Sequence, residues 1–120
     1  MWTYHQGSGA LAHSGQTLGH GYSGHGPGLD NPEREADAGT GPIPRGRWRV
    51  GPFSEGHPHL GPFVAPLSPV GHDAHGRSAF FIHGDNALGD HSASHGCIVL
   101  IRPLREAISQ SGDHDLEVLA

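Results

Sequence analysis

Lysine is missing from this chain: its seven basic residues are all arginines, set against twelve carboxylates for a formal charge of -5 with histidine neutral. Phosphate binding needs a basic surface, so a nucleic-acid partner is excluded. No apolar run approaches the length that spans a membrane, which excludes membrane insertion by a helix. Met1-Trp2-Thr3-Tyr4-His5 lacks the basic and apolar regions of a secretory signal, so the expectation is a product of the cytoplasm that carries no export address of its own. Cysteine occurs once, at Cys97. No internal disulfide can form, the fold does not depend on an oxidising compartment, and that thiol is available for chemistry. Length also excludes something: 120 residues and 12.6 kDa cannot be split into two adequate hydrophobic cores, so one domain over residues 1–120 is expected.

What is abundant is glycine, with 20 residues, and proline, with 10. They break the chain into turns and short extended pieces rather than long helices. Residues 2–5, 10–13 and 17–23 form a small meander with turns at Gly7-Ser8-Gly9 and Ser14-Gly15. Residues 24–42 have no apolar periodicity and make a long surface loop. A strand over residues 47–50 follows, with Trp48 and Val50 on one side at period two. Residues 62–70 contain Pro66, which predicts an edge strand or an irregular extended segment. Ala79-Phe80-Phe81-Ile82 is a short buried strand that delivers His83 at its end, and residues 97–101 read the same way. Pro103 opens a short helix that runs to Ser109 with Leu104 and Ile108 on one face, Gly112 ends it, and residues 114–119 return as a strand. The expected fold class is therefore mainly β, a compact sheet domain with one short C-terminal helix.

The chemistry lies between His83 and Cys97. A thiol becomes a strong nucleophile beside an imidazole, and here one strand ends in a histidine while the next begins with the cysteine. Gly96 permits a tight turn in which the backbone N–H groups of His95, Gly96 and Cys97 converge, as a tetrahedral oxyanion requires. Ser94 beside that turn is placed to hydrogen-bond it locally, and His95 has a supporting role. Asp85 is close enough in sequence to orient His83.

His83-Gly84, a spacer, and Ser94-His95-Gly96-Cys97-Ile98 resemble the signature of the YkuD-like L,D-transpeptidase family. Gly41-Pro42-Ile43-Pro44-Arg45-Gly46-Arg47-Trp48 resembles that family's strand entry. A closer resemblance is to the small type VI secretion L,D-transpeptidase and L,D-carboxypeptidase effectors, carried by Trp2-Thr3-Tyr4, Tyr22-Ser23-Gly24, Gly41 to Gly46, Phe81 to Asp85 and Ser111 to Val118. It covers nearly the whole chain. The resemblance implies a YkuD-like sheet domain and a Cys97 nucleophile paired with His83, whose ring is oriented by the backbone carbonyl of Gly84. It implies peptidoglycan stem peptides as substrate, a tetrapeptide with a diamino acid third and D-alanine fourth, and no metal or other cofactor. It also implies delivery by type VI secretion machinery into the periplasm of a target bacterium, and a cognate immunity protein in the producer.

Housekeeping members of that family place arginine two residues after the cysteine, where this chain has Val99. A substrate carboxylate must then be met elsewhere, with Arg102 or Arg45 as candidates and Tyr22 as a further cleft residue. The twelve histidines raise a rival reading as a zinc or nickel protein, through His57-Pro58-His59, His72 with His75, and His91 with His95. No His-Glu-x-x-His helix or Cys-His cluster accompanies them. A non-catalytic peptidoglycan-binding module is the remaining class.

Overall fold

The structure, a computed structural model, describes residues 1–85 and 94–120. The fold is mainly β. Among the described residues, strands β1 (Trp2–His5), β2 (Ala10–His13), β3 (Gln16–His20), β4 (Tyr22–Ser23), β5 (Gly46–Val50), β6 (Ala65–Val70), β7 (Phe80–His83), β8 (Ile98–Val99) and β9 (Asp115–Leu119) accompany one α-helix, α1 (Arg102–Ser111), and three single 3₁₀ turns at Gly26–Gly28, Pro32–Arg34 and Ala74–Gly76. The strands form a sheet in the order β3-β2-β1-β9-β5-β6-β7-β8-β4.

Period-two patterning builds the core because the register keeps every apolar face aligned. Trp2 lies opposite Leu116, which lies opposite Trp48. Val50 lies opposite Leu67 and Leu67 opposite Phe80, while Ala65, Ile82 and Ile98 form a third row. All of these belong to one buried cluster, and Leu104 and Ile108 of α1 join it. A one-residue slip of any strand would turn its row to the other face. The helix begins at Arg102 with Pro103 in its first turn and stops at Gly112, whose φ of 70° is the left-handed cap expected there.

Two expectations are corrected. The stretch at residues 17–23 is not one strand: β3 and β4 are separated by Gly21 and occupy the two opposite ends of the strand order. Residues one peptide apart cannot lie on distant edges, so the sheet curls until its edges meet at Gly21, whose N–H donates to the Gly9 carbonyl at 2.8 Å. A side chain there would run into the Val99 carbonyl oxygen and approach Leu100 Cδ2 to 2.6 Å. Secondly, β6 is an interior strand between β5 and β7 despite Pro66 and Pro69. Each proline nitrogen points where a neighbour has run out. Pro66 faces Gly51, beyond the end of β5, and accepts its N–H at 2.8 Å. Pro69, by strand alternation, faces the other way, past the start of β7.

Closure at Gly21 makes a prediction. Gly21→Ala should lower the free energy of unfolding by about 1–3 kcal/mol through overpacking. Gly56→Ala, at a position where a Cβ meets nothing within 4 Å, should leave the urea midpoint unchanged. Equal midpoints for the two variants would show that the corner tolerates a side chain.

Candidate active site

Strands β7 and β8 run parallel, with Ile82 opposite Ile98 and His83 opposite Val99. Phe80, Ile82, Ile98 and Leu100 point into the core cluster. Alternation therefore sends His83, Cys97, Val99 and, across from Val99, Tyr22 to the opposite face. Cys97 sits in a bend just before β8 rather than inside a strand. The topology thus brings the two sequence-predicted residues onto one face of adjacent strands, both buried, His83 at 2% exposure and Cys97 at 8%.

His83 Nδ1 is 2.6 Å from the Gly84 carbonyl oxygen. A carbonyl only accepts, so Nδ1 carries the proton and Nε2 keeps its lone pair. Nε2 is buried and has no hydrogen-bond partner among the described residues. Burial depresses the imidazole below its ordinary value of 6.5, with Arg105 adding to the effect and the Gly84 carbonyl and Asp85 opposing it. The ring is a neutral base at neutral pH. Asp85 does not hold it: the Asp85 carboxylate accepts the Tyr22 hydroxyl at 2.7 Å.

The Cys97 thiol lies 3.7 Å from the Ala79 carbonyl oxygen. Burial pushes it up to about 11, while the Phe81 backbone N–H and the Arg77 charge pull the other way. It is therefore a thiol, not a preformed thiolate, at neutral pH, and it needs a base. The turn that presents it is over-determined. Ser94 Oγ donates to the Cys97 carbonyl at 2.7 Å and accepts the N–H groups of Gly24 at 2.9 Å and Gly96 at 3.1 Å. Ser23 Oγ donates to the Gly96 carbonyl at 3.2 Å and accepts from Ile43 N–H. Gly96 has φ of 131°, and a side chain there would strike Arg77. The Gly96 N–H is turned into Ser94 at 3.1 Å, which takes it away from the three amides expected to converge on an oxyanion. The His95 ring is exposed and reaches the Gly39 carbonyl at 3.1 Å, away from a proton-transfer position.

Arg77 escaped the sequence reading, since an arginine after His75-Gly76 in a loop carries no signal. Its guanidinium donates to the carbonyls of Glu35 at 2.6 Å, Pro42 at 2.8 Å, Gly41 at 2.9 Å and His95 at 3.2 Å, and lies 5.2 Å over the Phe80 ring. One cation thereby ties the Glu35–Pro42 loop to the Cys97 turn. Arg45 spends its Nε on Glu35 Oε1 at 2.8 Å, and Arg102 pairs with Glu55 and Glu106 on the surface. Tyr22 lines a cavity with Asp85, Val99 and Arg105. Three histidines of the metal reading have structural partners: His57 Nδ1 caps two N–H groups, His72 meets the Arg47 carbonyl, and His75 meets Glu35. His91 lies outside the described residues. Among the described residues no group of three or more His, Cys, Asp or Glu is placed to hold a metal ion.

Fold and site together define a mainly β domain that sets one buried thiol and one buried neutral histidine on the same face of two parallel strands. The family model described as the Tlde1 domain matches residues 17–115. The chain belongs to that family, one of type VI secretion effector-like domains. No curated protein matches the chain.

Two measurements test this arrangement. Alkylation of Cys97 by iodoacetamide should still be accelerating above pH 9, as a thiol near 11 requires. Arg77→Met should move that rise to higher pH and destabilise the fold by about 1–3 kcal/mol or more, the cost of buried carbonyls losing their donor. A rate that levels off below about pH 7 would mean a preformed thiolate. Glu35 gives an acid-side check. Burial alone would raise its carboxyl, but hydrogen bonds from Gln6, His75 and Arg45 outweigh that and hold it at about 2, against an ordinary 4.5. A folded value below the unfolded one stabilises fully above about pH 4.5, and that contribution drains away as pH falls toward about 2. Urea midpoints of Glu35→Gln and wild type should therefore differ at pH 5 and converge toward pH 2.

Proposed function

We propose that the chain is a cysteine-dependent L,D-carboxypeptidase and L,D-transpeptidase that acts on peptidoglycan tetrapeptide stems. The observation that carries this reading is the unpartnered, buried Nε2 of His83 on the same sheet face as the buried Cys97 thiol. A neutral imidazole locked by Gly84 in the Nε2 lone-pair tautomer suits one task, removing a proton from a protonated thiol as it attacks.

In the first half-reaction His83 Nε2 takes the thiol proton while Cys97 Sγ bonds to the carbonyl carbon of the third stem residue. The N–H groups of His95 and Cys97 stabilise the tetrahedral oxyanion. On collapse the C–N bond to the fourth residue breaks, and the imidazolium returns its proton to the departing D-alanine amine. The thioester that remains is resolved by water, giving a tripeptide, or by the amine of a D-amino acid, giving an exchanged tetrapeptide. His83 serves as base to the second nucleophile and the thiol is restored. Every step draws on the chain's own groups.

Residues 1–120 would work as one YkuD-like catalytic domain. Membership of the Tlde1 family supports the setting of an antibacterial effector delivered by type VI secretion machinery. The target compartment would be a competitor's periplasm, and the producer would hold an immunity protein. Trimming or capping tetrapeptide donors would deny the target cell its cross-linking substrate.

The test is mass spectrometry of tetrapeptide muropeptides. Wild-type protein should release D-alanine, add a supplied D-methionine in its place, and be unaffected by EDTA. Cys97→Ala should be inactive. His83→Asn retains a donor for the Gly84 carbonyl but lacks the second nitrogen, so it should fold and lose roughly 10²–10⁴ in rate. Turnover by Cys97→Ala, loss of activity on chelation, or cleavage at the sugar backbone would each overturn the reading.

A further inference from the structure

His83 Nε2 and Cys97 Sγ share a face, yet no hydrogen bond joins them: Nε2 has no partner among the described residues, and Cys97 is one of those residues. The thiol instead lies 3.7 Å from the Ala79 carbonyl oxygen, within the longer reach of a sulfur donor. Its sulfur also accepts the Phe81 backbone N–H. Extending the register one residue back from Ile82 and Ile98 sets Cys97 beside Phe81, so His83 is its diagonal neighbour across the two strands.

Strand geometry explains why those two backbone groups face the thiol. Pro66 lies opposite Phe81, and its carbonyl is taken by the Gly51 N–H on the β5 side. The peptide groups of such a pair point away from each other, so the Phe81 N–H faces β8, and strand alternation puts the Ala79 carbonyl on the same side. β8 begins only at Ile98 and pairs with β7 from Ile82 onward. The Cys97 side chain therefore takes the next place in the ladder, with sulfur where a peptide group would otherwise lie. Ala79 has a φ of 63°, in the left-handed region, although it is not glycine. That conformation costs energy in any residue with a Cβ and recurs where backbone is held for function.

We propose that Ala79 is a positioning residue for Cys97: its carbonyl parks the thiol proton at the open end of the β7–β8 ladder, off the His83 base, until substrate is bound. In the parked state the proton is on sulfur and Nε2 keeps its lone pair, neither group spent on the other. The pair becomes reactive when Sγ turns from the Ala79 carbonyl to Nε2, exchanging one weak hydrogen bond for another, and the proton then passes to Nε2 as Sγ attacks. A hydrogen bond donated by the neutral thiol opposes its ionisation, so parking adds to burial in keeping the one cysteine of the chain inert. Only the link to turnover rests on the function proposed above; the resting geometry does not.

A single cysteine gives the protein one S–H stretching band in the infrared, and Cys97→Ala assigns that band by removing it. In free protein His83→Asn should leave the band where it is and leave the rate of iodoacetamide alkylation at fixed pH unchanged, while turnover of tetrapeptide muropeptides falls roughly 10²–10⁴-fold. Ala79→Val puts a β-branched side chain at a left-handed position and should shift the band by displacing the carbonyl. A band that moves in His83→Asn, with alkylation falling alongside turnover, would show the thiol already on its base and overturn the proposal while the proposed function stands. A band unmoved by Ala79→Val in a folded variant removes Ala79 from the role; if that variant does not fold, the His83→Asn band and alkylation rate decide alone. If wild-type protein releases no D-alanine, the proposed function falls, and the same band and alkylation rate still decide whether the thiol is parked.

Discussion

Parallel pairing of β7 with β8, in the register that sets Ile82 against Ile98, governs both sides of this molecule at once. On the core side it completes a row of apolar residues from Ala65 through Ile82 to Ile98. On the other side the same register carries His83 and Cys97, residues separated by a long connection, onto one surface. A slip of either strand by one residue would take its isoleucine out of the core row and turn His83 or Cys97 into it, so the hydrophobic effect that aligns the sheet also keeps these two side chains on one face. Parallel pairs need a long crossover, and here that crossover runs from Gly84 to Gly96, beginning at the carbonyl that sets the His83 tautomer and ending at the turn that presents the thiol.

Around that pairing the chain uses hydroxyls and guanidinium groups where a larger protein would use packing. Ser23 and Ser94 each accept and donate between loops, and together they fasten Gly24, Ile43, Gly96 and Cys97. Arg77 and Arg105 both satisfy backbone carbonyls of irregular segments, which could not otherwise be buried. Both terminal nitrogens of Arg77 are used in this way, with a donor for each of four carbonyls. Arg105 is used on one side only.

Burial also sets the protonation states. It raises the thiol and lowers the imidazole, so the two groups sit neutral and uncharged together rather than as an ion pair. Such a pair avoids the cost of two desolvated charges in the resting protein. In the proposed reaction charge would appear only as the thiol attacks, beside Arg77 and the Phe81 N–H, which already pull the thiol toward ionisation.

Much of this was legible in the chain alone. Alternating apolar residues placed β1, β2, β5, β7 and β9 within a residue or so, proline and glycine bounded α1, and the strand-end positions of His83 and Cys97 singled out the two side chains that the fold brings onto one face. These are local signals, set by side-chain period and by backbone preference over a few residues. What the sequence could not carry is non-local: that Gly21 splits one apparent strand between the two edges of a closing sheet, and that β6 lies inside it despite its prolines. The partners of Arg77 and Arg105 were invisible for the same reason, since an arginine's role depends on which carbonyls and carboxylates fold around it. The sequence by itself determined which residues could be strands, caps and reactive groups; only the tertiary structure decided which of them meet, because register, closure and burial are properties of pairs far apart in the chain.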